Sequence, residues 1–453
     1  MAALTAALVL AQDTPPATTS DASASSDTSD YAGPSVLTRG GGPSLGAALS
    51  HVRLRPFITL DGIYDGSLGN TLLNSQGNIP YVNAYGVQLT LGASGTRQWK
   101  HSSLALDYRG ELRHYNKHSY YDGVDNALSL TFKHYLSTRT QFELFESAAR
   151  YSRAYSMSME GYYGGGAQAY DSTFSSLTTN DLYDTPTSAL TSGGRLIHQR
   201  TARVSLSGGI SGFIVRRRST ALIGTNGYTA QGDIAYRLSR YQTISIGYSF
   251  SHYDFQNSYG QSDMHGASLA YSVQIGRHFE LALLGGGYRV ESLRLTRITF
   301  DPVIAALLGQ AYGLEKFYGV SYMPRAGAHL TRKFRDSMLG LGYDRNVAAG
   351  NGVFTTASYE TGQIGYTYTG VRRLSLQTGA SYQRFSALTQ SIGRYRTFQA
   401  GAGCGYNLGR GLSLVLRGDV RRYYISNSSL NRLQPRVVAG IGWTPGDYPL
   451  ALW

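Results

Sequence analysis

The chain has 453 residues, 55 of them Gly and 36 Tyr, with 15% charged residues and a formal charge of +13. That profile is foreign to soluble helical and α/β proteins, and no apolar run of about 18 residues occurs, which excludes transmembrane helices. A slightly negative mean hydropathy leaves β-strand spanning open, because a spanning strand is apolar on one face only.

Ala2 to Ala11 reads as the apolar core of a secretory signal, with Val9-Leu10-Ala11 as a cleavage box before Gln12. The charged leader before it is missing, so residues 1–11 are expected to be a signal peptide with a truncated start. Residues 12–50 are Thr, Ser, Ala, Pro and Gly without periodicity, which predicts a low-complexity periplasmic linker or a partial plug.

Alternation starts at residue 51 and continues to the end, so residues 51–453 form one unit. In the strand from Val52 to Asp61, Leu54, Pro56, Ile58 and Leu60 face one way while Arg53, Arg55, Phe57, Thr59 and Asp61 face the other. The same split sets Leu104, Leu106 and Tyr108 against Asp107, Arg109 and Glu111. It recurs with Leu412, Leu414 and Leu416 against Arg417, Asp419 and Arg421.

A unit of strand, Arg-bearing turn and strand recurs along the chain, as in Ala235 to Tyr248 and in Tyr406 to Leu414. Turns are expected near 93–101, 137–141, 198–201, 239–242, 276–278, 331–336, 369–373 and 409–411. With strands at 52–63 and 432–444 added, the count reaches eighteen, with sixteen as the alternative. The opposite connections are longer: 64–82, 116–124, 154–185, 215–225, 256–263, 293–318, 348–353, 387–394 and 426–431. Within 293–318, Asp301-Pro302 with Val303, Ile304, Leu307 and Leu308 predicts a short helix over 302–314.

These features predict an all-β chain, a transmembrane antiparallel up-and-down β-barrel with short periplasmic turns and longer extracellular loops. A propeller is the competing repeat architecture, but its blades need four short strands per repeat. The turn windows hold twelve basic residues against the one acid Asp336. Most of the positive charge is therefore a rim, either of solvated turn residues or of side chains that meet lipid phosphates, and no nucleic-acid partner is expected. The single Cys404 forms no internal disulfide.

In this architecture the chain resembles the outer-membrane β-barrels of Gram-negative bacteria, specifically the porin-like ones. The resemblance implies a bacterial outer-membrane location, lipid and the barrel-assembly machinery as partners, and small solutes as cargo; such porins are often homotrimers. It carries over Trp453 as the aromatic terminal residue read in assembly, although Thr444-Pro445-Gly446-Asp447-Tyr448-Pro449 interrupts the last strand and is expected to leave a short tail. It also implies that the third long loop, 154–185, folds inward with Glu160, Asp171, Asp181 and Asp184 as a constriction.

Arg53, Arg55, Arg109, Glu111, Arg113, Arg417, Asp419 and Arg421 are the expected pore-lining residues. Outside the turns and the tail a small positive excess remains, so a weak anion preference is expected. No Gly-x-Ser-x-Gly elbow, His-Glu-x-x-His or phosphate loop occurs. No enzyme, metal or cofactor is therefore expected. The expected function is a channel for passive diffusion of small hydrophilic solutes. The rivals are an export or assembly barrel for polysaccharide or protein, and a barrel enzyme with its site at the extracellular rim.

Overall fold

The structure is a computed structural model. It describes residues 53–69, 81–116, 121–152, 186–219, 222–256, 259–299, 309–349, 352, 355–388, 394–425, 431–444 and 448–449. The strands, in chain order, are β1 (Arg53–Gly69), β2 (Tyr81–Gln98), β3 (Ser102–Tyr115), β4 (Gly123–Ser137), β5 (Thr140–Tyr151) and β6 (Thr187–Gln199). There follow β7 (Val204–Arg217), β8 (Gly224–Arg237), β9 (Gln242–Gln256), β10 (Gly260–Ile275), β11 (Phe279–Thr299) and β12 (Tyr312–Lys333). The last are β13 (Ser337–Ala349), β14 (Thr356–Val371), β15 (Leu374–Ala387), β16 (Tyr395–Gly409), β17 (Leu412–Ile425) and β18 (Asn431–Trp443), with a two-residue β19 (Tyr448–Pro449).

Each strand pairs antiparallel with its neighbours in sequence, and β18 closes on β1 from Ile58↔Trp443 to Asp65↔Arg436. Closure removes both sheet edges, which is the condition for a sheet to cross a bilayer. The expected eighteen-strand count holds. β18 ends at Trp443, and the chain then pairs again with β1 through Arg53↔Pro449 and Leu54↔Tyr448, so the expected free tail returns to the seam.

Alternation sorts the side chains as the sequence requires. Ile58 and Leu60 of β1 are exposed on the outside while Phe57, Thr59 and Asp61 are buried on the lumen side. Ile210, Ile234, Ile246, Leu269, Leu283, Leu376, Leu416 and Ile441 continue the outer band around the wall. In water each would forfeit roughly 1.5–3 kcal/mol of burial, so this face belongs in lipid. At the short-turn end the guanidinium of Arg97 lies over Trp99, and that of Arg332 lies over Phe279 and Phe334. The basic rim is thus partly seated on interfacial aromatic rings.

Two elements differ from the sequence reading. The helix expected over 302–314 does not reach its predicted end: Tyr312 to Leu314 continue β12, paired with Thr299 to Arg297. Residues 301–308 lie outside the described part. Alternation through Leu293-Arg294-Leu295 and Tyr318-Gly319-Val320 wins there, so the expected loop 293–318 shortens to a tall hairpin of β11 and β12. Likewise β1 runs past the expected start of loop 64–82 to Gly69, held by its ladder with β2 and, as far as Asp65, with β18.

The end of β13 leaves the wall. β12 and β13 pair only from Ala326↔Arg345 to Lys333↔Met338, whereas β13 and β14 stay paired up to Ala349↔Thr356. Val347 and Ala349 share a strand face with Leu341 and Tyr343, which point outward lower down. At this height they form one buried cluster with Phe213, Tyr253, Tyr288 and Val290 of the inner wall. The β13–β14 tip therefore folds into the barrel, and the Gly352 carbonyl accepts a 2.8 Å hydrogen bond from Ile223 N–H.

Candidate functional site: the lumen wall

The site is the inner face, and each of its residues is there by strand parity. On β3, Arg109, Glu111 and Arg113 share the inward face, and β4 sets Asp125 opposite Glu111. Arg113 Nη2 lies 2.5 Å from Asp125 Oδ2 and its Nε 3.4 Å from Glu111 Oε1. Arg109 reaches the other Glu111 oxygen at 3.5 Å. Asp125 Oδ1 also accepts the backbone N–H and hydroxyl of Ser152.

Across the seam, Arg436 of β18 places Nε 3.6 Å from Asp65 of β1 and Nη2 3.9 Å from Glu111 of β3. It also donates to Gln88 Oε1 of β2 at 2.7 Å. The Tyr115 hydroxyl donates to Asp65 from the neighbouring wall. Arg417 pairs with Asp419 at 2.8 Å, and the Arg421 guanidinium rests 4.3 Å over the Tyr423 ring. Acid and base alternate along this wall from β17 to β4. Attraction between buried ions must offset their lost hydration, so the network is self-compensating and adds little net charge to the lumen.

Six of the expected pore-lining residues therefore come together on one wall: Arg109, Glu111, Arg113, Arg417, Asp419 and Arg421. Arg53 and Arg55 stand on β1, paired with Pro449 and Ser94, and their side chains lie outside the described part. Glu160, Asp171, Asp181, Asp184 and Trp453 also lie outside it. Sequence reasoning missed Asp65, Gln88, Asp125 and Arg436. The parity that places Asp61 on the inner face also places Asp65 there, but Asp65 falls within the expected loop 64–82.

The adjoining wall, β14 to β16, carries no charge on its inner face. Tyr359, Phe385 and Tyr395 form a ring row on β14, β15 and β16, with centroids 4.8 and 5.9 Å apart. Tyr423 continues it at 5.9 Å. Below the rings, Thr361, Gln383 and Thr397 occupy one register row, and Gln363, Ser381 and Gln399 the next. His329 of β12 and Asp344 of β13 meet at 3.0 Å at the far side of this neutral wall. Among the described residues no group of three metal-ligating side chains occurs.

A closed antiparallel wall, an apolar outer belt and a polar inner face have one home. The chain is an outer-membrane β-barrel. No family model and no curated protein matches the barrel's sequence. Among solved structures it is similar to OccK2 (OpdF) of Pseudomonas aeruginosa, at 12% identity over 86% of this chain and 98% of that one, with a TM-score of 0.41. It is also similar to a BenF-like porin of Pseudomonas fluorescens Pf-5, at 12% identity over 87% and 98% with a TM-score of 0.42. OccAB3 of Acinetobacter baumannii gives 12% over 86% and 98% with a TM-score of 0.41. Likenesses of this size say nothing about what the outer-membrane barrel carries.

Proposed function

We propose that the protein is a porin-like channel for passive diffusion of small hydrophilic solutes, working without a catalytic step. The observation that carries this reading is the inner face itself: charged and neutral polar side chains line it on every strand from β17 through β1 to β4 and from β13 to β16. Such a lining replaces part of a solute's hydration, while the apolar outer band seals the wall against lipid. The barrel-assembly machinery would place it, and a homotrimer is its proposed assembly.

The inward β13–β14 tip narrows the path at the long-loop end, and the paired wall of Arg436, Glu111 and Arg113 flanks it. A weak anion preference is the finer part of the proposal. It stays weak because Arg417, Arg436 and Arg113 each have an acid partner. Liposome swelling with sugars of graded size tests the channel. Swelling that falls with solute size supports it, and a folded barrel that gives no swelling overturns it. A reversal potential in a salt gradient tests the ion preference, and cation selectivity would remove it.

A further inference from the structure

Four glycines stand in one register row across the neutral wall: Gly340↔Gly365, Gly365↔Gly379 and Gly379↔Gly401. The row continues to Asp419, whose side chain faces the lumen, so all four present bare backbone inward. Three strand spacings make a trough about 14 Å long with no side chain on its floor. A Cβ added at Gly340 would meet nothing within 4 Å, so the space over that end is open. Glycine inside a strand weakens it, and a row of four marks a place where something approaches the backbone closely.

The border of the trough supplies the second observation. Ser381 and Gln399 lie next to Gly379 and Gly401 along the same strands and on the same face. Both are 3% exposed, yet the Ser381 hydroxyl and both ends of the Gln399 amide have no hydrogen-bond partner. Thr397, one row above, also has an unpartnered hydroxyl. Buried polar atoms are almost always paired, so unpaired donors and acceptors at one border mark a waiting partner.

The chemistry of that border names the partner's class. An amide offers two donors and an acceptor, and each hydroxyl offers both roles. Such a set matches ligand hydroxyls, which donate and accept alike. A carboxylate ligand would need a cation turned toward it, but Arg417 beside the trough is held by Asp419 at 2.8 Å, and Arg421, opposite Gln399, lays its guanidinium over the Tyr423 ring. Three register rows above the glycines, Tyr359, Phe385 and Tyr395 pack into a buried apolar cluster that bounds the polar stretch of this wall.

We infer that the glycine-floored trough of β13–β16, bordered by Ser381 and Gln399, is a binding recess for a neutral saccharide in transit. The inference rests on the channel reading and supplies its substrate class. A sugar slides along bare backbone, exchanges water for the Gln399 amide and the Ser381 hydroxyl, and leaves with no charge to neutralise.

The test is ion current through the full-length protein in planar bilayers, titrated with glucose, maltose and gluconate. A neutral sugar is expected to reduce the current saturably. Ser381→Ala should raise the half-blocking concentration about threefold and Gln399→Leu about tenfold, as loss of one or two hydrogen bonds implies. Gly379→Val, which fills the floor, should abolish the block. Each variant is compared with its own sugar-free current, and Ser381→Ala keeps the test valid if the valine disturbs folding. A current drop that only follows viscosity, or block by gluconate alone, overturns the recess while the channel stands. No current from a correctly folded barrel overturns the channel reading itself.

Discussion

Arg436 donates a 2.7 Å hydrogen bond to Gln88 Oε1, joining residues 348 positions apart across the strand that closes the barrel. The same guanidinium faces Asp65 and Glu111, so one side chain ties β18, β1, β2 and β3 together on the lumen side. The seam thereby gains a lock beyond its ladder hydrogen bonds, at the junction where the two ends of the chain must find each other.

Replacing Arg436 by Met leaves Asp65 and Glu111 buried with one cation fewer. Breaking a buried ion network from one side typically costs about 3–5 kcal/mol. The variant should therefore unfold at lower temperature in a heat-modifiability gel, and Arg436→Lys should recover part of the loss. Equal melting of wild type and Arg436→Met would show that the ladder alone holds the seam.

Arg373, in the turn between β14 and β15, has φ of 69°, a left-handed conformation that costs a side-chain-bearing residue about 1–2 kcal/mol. Glycine removes that strain but adds freedom to the unfolded chain. Arg373→Gly is accordingly expected to raise stability by up to about 1 kcal/mol in urea unfolding from liposomes. Arg373→Val should lower it.

The β11–β12 hairpin carries a titrating contact above the bilayer. About ten residues of β11, counted from Phe279, suffice to cross it, so Glu291 lies beyond. The Tyr318 hydroxyl donates to Glu291, which holds the carboxyl below its usual value, and Arg289 adds to this. A depressed folded value means that the contact stabilises the hairpin above the ordinary carboxylate pKa. That contribution is lost as pH falls through the lower value. In a carboxyl NMR titration Tyr318→Phe should move Glu291 upward, and an unchanged midpoint would rule the contact out.

Val347 anchors the inward tip in the cluster with Phe213 and Tyr288. Val347→Asp puts a carboxylate into that buried apolar cluster, which destabilises the docked tip by several kcal/mol. The tip should leave the inner wall, and single-channel conductance should rise severalfold. Unchanged conductance in a folded variant would show that the tip does not limit the path.

The candidate site was legible where it depended on parity. Arg109, Glu111, Arg113, Arg417, Asp419 and Arg421 all point inward as alternation requires, because a strand side is set by residue count alone. Asp65 was hidden in the expected loop 64–82, and Arg436 by its separation in sequence from its partners. The end of the helix expected over 302–314 is overruled: β12 begins at Tyr312 because its ladder with β11 supplies backbone hydrogen bonds that one more helical turn could not match.

By itself, then, the sequence determined a closed, lipid-facing wall of eighteen alternating strands, since period-two burial and turn spacing are local properties repeated until the sheet meets its own edge. Only the tertiary structure decided what the wall encloses. Which arginine meets which acid, which strand tip turns inward, and that Gly340, Gly365, Gly379 and Gly401 fall in one row all depend on register between distant residues. Register is a choice made by all the ladders together.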